Sequence, residues 1–268
     1  MKQRLDVLLV EKGFFPSREK ARTAIMEGLV FIGTLRYDKP GAQVDTEAEL
    51  IVKGSSCPFV SRGGLKLAKA VELWNIDLES AVCMDIGSST GGFTDCMLQN
   101  GASKVYALDV GTNQLDYKLR TDPRVVVMEK TNIRDIDPET FEKMDLVTAD
   151  VSFIGLKFIF PPASKLLKEG GRMVSLVKPQ FEAGRDKVGK GGIVRDKAVH
   201  EEVLKNTLKL AENAGLRPLE LSFSPITGTK GNIEYLLYLE KTDNMEDITV
   251  TDQVITNIVN SSHRELEK

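Results

Sequence analysis

Cysteine and histidine are scarce in this sequence: three and two residues respectively in a chain of 268. Cys57, Cys83 and Cys96 are too few and too scattered for a disulfide framework or a zinc cluster. With only His200 and His263 to add, no His/Cys metal site is expected. No apolar run approaches the length of a membrane span. The opening MKQRLDVLLVEKG places charges on both sides of a very short apolar run, so it is not expected to be a secretion signal. There is no overall basic excess either; the formal net charge is −3, so composition alone does not announce nucleic-acid binding. What remains is 41% hydrophobic and 28% charged residues, the balance of a globular protein with room for about two domains. The expected setting is a reducing cytoplasm, without membrane association.

Charge is distributed by segment. Residues 1–72 hold 12 Lys and Arg against 9 Asp and Glu, a local net of +3, so the remainder nets −6. A basic end on an acidic chain points to a polyanionic partner at that end. A helix over residues 4–10 puts Leu5, Leu8 and Leu9 on one face and stops at Gly13. Ser17 reads as the N-cap of a second helix, residues 18–27, with Ala21, Ala24 and Ile25 inward and Arg18, Lys20 and Arg22 outward, ended by Gly28. Residues 29–32 form a strand, Gly33 and Lys39-Pro40 make turns, and Val44 and residues 49–52 supply further short strands. Gly54-Ser55-Ser56-Cys57-Pro58 is a linker by composition.

Residues 81–95, AVCMDIGSSTGGFTD, organise the rest. An apolar run ends in Asp85, breaks into small residues, and Phe93 opens a helix: a buried strand, a tight turn and a helix start. The glycines let a ligand approach the backbone, and the helix N-terminus offers free amides. The order Gly87, three small residues, Gly91-Gly92 departs from the G-x-G-x-x-G of a dinucleotide site. Asp85 would repel a phosphate and welcome an ammonium, which suits the methionine part of S-adenosylmethionine. Further strands are expected at 104–110, 125–128, 144–149, 172–177, 219–223 and 235–239. Helices are expected at 65–74, 157–167 and 197–214, the last ended by Gly215. In the first of these Leu67, Ala70, Val71 and Trp74 form the packed face and Lys66 stands off it. This alternation predicts an α/β, doubly wound, mostly parallel sheet. A short turn, residues 227–230, makes the last two strands antiparallel. Residues 243–268 read as an appended helix or a loose tail, with no function assigned.

Side chains at the carboxyl ends of such strands converge on one crevice. Asp109, about 24 residues beyond Asp85, is placed to reach ribose hydroxyls. Asn132 is either an adenine contact or an ordinary turn residue. Asp150 ends the fourth strand, Lys178 the fifth, Glu234 begins the seventh, and Lys66 lies in the helix before the first. Each alone reads as a surface ion pair; together they would surround one pocket.

Two resemblances follow from these residues. Arg4-Leu5-Asp6, Leu9, Gly13, Ser17-Arg18, Ala21, Ile25, Gly28, Val30, Lys39-Pro40 and Val44 resemble the S4-type RNA-binding domain, with Ile32-Gly33 where that family often has Asn before the turn glycine. Residues 59–240 resemble the FtsJ-type ribose 2′-O-methyltransferases. The residues that carry this are Ser61-Arg62-Gly63-Gly64-Leu65-Lys66-Leu67, Asp85-Ile86-Gly87 with Gly91-Gly92-Phe93, Asp150, Val177-Lys178-Pro179-Gln180-Phe181-Glu182 and Asn232-Ile233-Glu234. Thr90 stands where that family usually has Pro. The two in this order resemble the TlyA family, ribosomal RNA cytidine 2′-O-methyltransferases also labelled hemolysins.

The resemblance implies a small α+β S4-like domain (1–58), a Rossmann-like seven-stranded methyltransferase domain (59–242) and a tail (243–268). It implies S-adenosylmethionine held by Asp85, Gly87, Ser89, Gly91, Gly92, Phe93, Asp109, Asn132 and Asp150, without a metal. Ribosomal RNA would be met by Arg4, Arg18, Lys20, Arg22 and Arg62, with the protein acting as a monomer. A Lys66-Asp150-Lys178-Glu234 tetrad would carry catalysis. Lys178, its charge disfavoured by Lys66 and by burial, would be the general base, and Lys66 would stabilise the developing alkoxide. Residues 184–192 would form a mobile loop touching RNA. The competing readings are a membrane-active hemolysin, which needs an amphipathic or spanning segment, an RNA-binding protein with weak or no transferase activity, a Rossmann dehydrogenase, and an amino-methyltransferase.

Overall fold

The structure, a computed structural model, describes residues 2–15, 17–26, 28–53, 57–246 and 248–266. The chain divides into two compact units, residues 1–58 and 59–268. Residues 54–56 of the expected linker, and Glu27 of the second helix, lie outside the described residues.

The first unit runs β1 (Lys2–Arg4), α1 (Leu5–Glu11), α2 (Arg18–Met26), β2 (Val30–Ile32), β3 (Leu35–Tyr37), β4 (Gln43–Asp45) and β5 (Leu50–Val52). Strand β1, which takes Arg4 from the start of the expected helix, pairs with β4, and β2 sits between β3 and β5, all antiparallel. Leu5, Leu8 and Leu9 share the inner face of α1 and close on Ala21, Ala24 and Ile25 of α2, the i, i+3, i+4 spacing of a buried stripe. Ser17 caps α2 by accepting from the Lys20 N–H at 3.3 Å. Both helices end alike. Phe14 N–H reaches back to the Leu9 carbonyl and Gly13 N–H to Val10, and Leu29 and Gly28 repeat this on Ala24 and Ile25. These are Schellman closures on a left-handed glycine. Gly33, with φ +59°, takes the first place of a two-residue hairpin. A type II′ turn accepts glycine there, so the absent Asn is not missed.

Beneath this unit's basic surface lies an anion. Asp6 is fully buried and accepts from Arg4 at 3.0 and 2.9 Å and from Arg18 at 3.0 Å.

The second unit begins with α3 (Gly63–Trp74), β6 (Val82–Ile86), α4 (Gly92–Gln99), β7 (Lys104–Leu108), α5 (Tyr117–Arg120), β8 (Val125–Met128) and β9 (Met144–Ala149). It continues with α6 (Phe160–Leu166), β10 (Leu167–Val177), α7 (Pro179–Glu182), α8 (Lys197–Asn213), β11 (Leu216–Phe223), β12 (Tyr235–Lys241) and α9 (Asp252–Leu266). The seven strands lie in the order β11-β12-β10-β9-β6-β7-β8. Only β12 runs against its neighbours, β10 and β11. The strand order reverses between β6 and β9, and an open α/β sheet has its crevice at that point. Side chains alternate across β12: Leu236 and Tyr238 enter the cluster under α3 and α4, and Tyr235, Leu237 and Leu239 the one under α6, α8 and α9.

Within the expected tail, Asp252–Leu266 form a packed helix and not a loose end. Helix α9 packs on α8 and β11, burying Ile255, Val259, Ser262 and His263. Its apolar stripe completes the larger core cluster.

Hydrogen bonding to Arg4, against the opposing effect of burial, and then to Arg18 holds the Asp6 carboxyl at about 2. A folded-state value below the unfolded one stabilises the protein above about pH 4, and that stability is lost as pH falls toward 2. Asp6→Asn should therefore destabilise the N-terminal unit by about 1–3 kcal/mol at neutral pH and flatten its loss of stability on acidification. Chemical denaturation of the full chain at pH 7 and pH 3, followed by a fluorophore in that unit, measures both. Equal acid sensitivity in parent and variant would assign the effect to another group.

Candidate active site

The crevice is built where β6 and β9 pair. The Asp150 N–H donates to the Ile86 carbonyl at 3.1 Å, which sets the turn after β6 against the end of β9. Gly87 has φ +82°, and a Cβ there would lie 2.7 Å from the Asp150 carbonyl oxygen. A Cβ on Gly92 would lie 2.7 Å from the Gly64 nitrogen. Glycine at these positions is therefore a matter of space as well as dihedral angle.

Two cavities open here. One, of about 710 Å³, is lined by Arg62, Lys66, Asp85, Gly92, Phe93, Lys178 and Glu234 among others. The other, of about 690 Å³, is lined by Ile86, Leu108, Asp109, Asn132, Ile133 and Phe158 among others. Gly87, Ser89, Asp150 and Ser152 line both. One polar and one more apolar compartment, meeting over a glycine turn, fit an amino-acid portion and a nucleoside portion of one ligand.

The four residues expected to carry the chemistry lie together. Lys66 Nζ donates to Glu234 Oε2 at 2.7 Å and to Asp150 Oδ2 at 3.2 Å. Lys178 Nζ lies 2.5 Å from Asp150 Oδ1 and donates to Ser152 Oγ at 3.3 Å. The two lysines thus share one carboxylate. Burial alone would lower the Lys66 pKa, but Asp150 and Glu234 outweigh it and the net shift is upward. Burial alone would raise Asp150, but Lys66 and Lys178 together hold it below the usual carboxylate range. Lys66 does not stand clear of the packed face of α3. It sits one turn before buried Ala70, is itself only 8% exposed, and turns its ammonium into the cavity.

Asp85 is fully buried at the cavity floor. Desolvation pushes its carboxyl up to about 6, against hydrogen bonds from Thr94 and Thr148. Thr94 donates from its N–H and Oγ1 at 2.9 and 2.7 Å, and Thr148 Oγ1 donates at 3.1 Å. The carboxylate thereby ties the start of α4 to β9, a role that was not read from sequence. Asp109 accepts from the Ser89 N–H at 2.8 Å and the Gly111 N–H at 2.7 Å, which positions it over the second cavity. Asn132 lines that cavity while accepting from the Arg134 N–H at 3.1 Å, so its turn role is present in any case.

Arg4, Arg18, Lys20 and Arg22 are all exposed on the first unit, Arg4 and Arg18 being oriented by Asp6. Arg62 lines the larger cavity of the second. Residues 184–192 are latched at their far end. Lys230 Nζ donates to the Gly191 carbonyl and Asn232 Nδ2 to the Gly192 carbonyl, each at 2.9 Å.

Sequence reasoning missed Ser152 and Thr148, although alternation along β9 places Thr148 on the side of Asp150. It also missed Phe153, 91% exposed at φ +64° with its ring 4.9 Å from that of Phe181. Among the described residues no group of three or more His, Cys, Asp or Glu could hold a metal ion, and no helix is long and apolar enough to cross a membrane.

Comparison with known proteins adds the following. Residues 59–241 match the FtsJ-like methyltransferase family and residues 3–50 the S4 domain. A Bacillus subtilis protein, YqxC, is 50% identical over all of this chain and 96% of its own. The 16S/23S rRNA (cytidine-2'-O)-methyltransferase TlyA of Mycobacterium tuberculosis is 42% identical over 88% of this chain and 89% of its own. A solved Streptococcus thermophilus structure superposes with a TM-score of 0.79 at 48% identity, covering 99% of this chain and 97% of that one.

Gly87→Ala should cost about 1–3 kcal/mol, since it adds left-handed strain and drives a methyl against the Asp150 carbonyl. The midpoint of urea unfolding reads this, and an unchanged midpoint would show that the turn tolerates a side chain.

Proposed function

The chain belongs to the TlyA family of FtsJ-like methyltransferases with an S4 domain, and from that premise we propose that it methylates the 2′-hydroxyl of a cytidine in ribosomal RNA, with S-adenosylmethionine as donor. The observation that carries this reading is the Lys66-Asp150-Lys178-Glu234 cluster in one of two ligand-sized cavities, with Asp150 lining both. When bound, S-adenosylmethionine supplies an electrophilic methyl on a sulfonium. Asp109 and Asn132 would face its nucleoside end, and Gly87, Ser89, Gly92, Phe93 and the Asp85 floor its amino-acid end, whereas the expected Gly91 lines neither cavity and backs onto Leu115 and Leu119.

A ribose hydroxyl is a poor nucleophile at neutral pH, so the chain's residues must manage its proton. Lys66 has two carboxylate partners and keeps its charge, ready to stabilise the developing alkoxide. Lys178 has only the shared Asp150 oxygen and a neutral serine, which leaves its Nζ the less engaged of the two and the one we assign as general base toward the hydroxyl. Asp150 holds both ammoniums at fixed separation, and Glu234 anchors the first. Holding acceptor and methyl in line contributes further. The exposed Phe153 offers a face on which an unstacked nucleobase can rest. The arginines above Asp6 supply phosphate contacts that position the strand.

Lys178→Ala should lower methyl transfer by about 10²–10⁴-fold while calorimetry still detects S-adenosylmethionine binding. Normal turnover in that variant would remove Lys178 from the role of base. Mass mapping of ribosomal RNA from a deletion strain tests the reaction itself. Loss of a ribose methyl on a cytidine is the expected result, and loss of a base methyl, or no loss, overturns the proposal.

A further inference from the structure

The tetrad has no excess positive charge to offer a nucleic-acid strand, because its two lysines are matched in number by two carboxylates. A phosphodiester beside the reacting ribose must find its cation elsewhere, and phosphate contacts are what set a strand's register.

A third cavity, of about 480 Å³, adjoins the catalytic one. Its walls include Ile193, Arg195, Thr227, Lys230, Ile233 and Leu266. Thr227 and Lys230 also line the catalytic cavity, so the two are neighbours along that edge. Among the described residues no carboxylate lines this third cavity. Arg195 is exposed, and among the described residues its guanidinium has neither an acid partner nor a hydrogen bond.

Its backbone is firmly held. The preceding Val194 is 4% exposed, and its N–H donates to Asn232 Oδ1 at 3.2 Å. The Val194 carbonyl lies 3.0 Å from His200 Nε2. A carbonyl only accepts, so that nitrogen carries the proton, and His200 Nδ1 takes the Tyr235 hydroxyl at 2.7 Å. An arginine on so rigid a base, with its fork of donors unused, is poised for an external anion. Lys230 faces the same space with one of three donors spent on Gly191.

We propose that Arg195, assisted by Lys230, forms a subsite for a phosphodiester of the RNA strand next to the target nucleotide. This rests on reading the chain as an RNA methyltransferase. The subsite lies one cavity away from the tetrad, so it orients the strand and takes no part in proton transfer.

The test uses the full chain and ribosomal RNA from a deletion strain. RNA affinity is measured by filter binding across a potassium chloride series, and S-adenosylmethionine affinity by calorimetry. In Arg195→Ala the slope of log affinity against log salt should shrink by about 0.7–0.9, the amount for one lost phosphate contact. The KM for RNA should rise several-fold, S-adenosylmethionine affinity should be retained, and Arg195→Lys should restore most of the slope.

An unchanged slope in Arg195→Ala overturns the subsite, as does a loss of thermal stability that Arg195→Lys shares equally. If Arg195→Ala flattens the slope but even the parent transfers no methyl, the anion site stands and the methyltransferase reading falls. If methylation is intact and the slope does not move, only the subsite falls.

Discussion

One carboxylate holds the Lys66-Asp150-Lys178-Glu234 cluster together. Asp150 receives Lys66 on one oxygen and Lys178 on the other, and burying three charged groups is costly unless each is matched. Here Glu234 supplies the second carboxylate, so lysines and carboxylates balance in number and each lysine Nζ keeps a fixed position. Much of the surrounding fold serves that arrangement. The β6–β9 pairing sets the height of Asp150. The missing side chain at Gly87 admits its carbonyl, and the antiparallel insertion of β12 between β10 and β11 brings Glu234 to the mouth.

The N-terminal unit uses a related device. Asp6, buried under Arg4 and Arg18, orients two cations whose side chains remain about half exposed. A bare basic stripe would be mobile and screened by salt. Two guanidiniums fixed on one buried anion are partly neutralised, but they lose less entropy on meeting a phosphate.

The C-terminal helix belongs to the same logic. Ser262 of α9 lies 3.2 Å from the Tyr235 hydroxyl, which meets His200, which in turn meets the Val194 carbonyl. Tyr235 directly follows Glu234, and Val194 directly precedes Arg195. The buried polar chain therefore connects α9 to the neighbours of both Glu234 and Arg195, and its members are hydrogen-bonded inside an otherwise apolar cluster, as buried polar groups must be.

The sequence by itself determined the α/β class, the seven-strand alternation, the glycine turn and the convergence of Lys66, Asp150, Lys178 and Glu234 on one pocket. Those signals are local in kind: strand and helix periods differ, and residues at strand ends share one edge of a parallel sheet. It also carried the helix stops at Gly13 and Gly28, since left-handed closure favours glycine. Only the tertiary structure decided that Lys66 turns inward, that Asp85 joins α4 to β9, and that Asp6 underlies the basic face. It alone showed α9 to be part of the core and Arg195 to stand beside the catalytic cavity. Each of these depends on which groups meet in the fold, at separations of up to 168 residues of chain. Charge pairing and burial at such separations leave no period in the sequence, because they are properties of a folded surface and not of spacing along the chain.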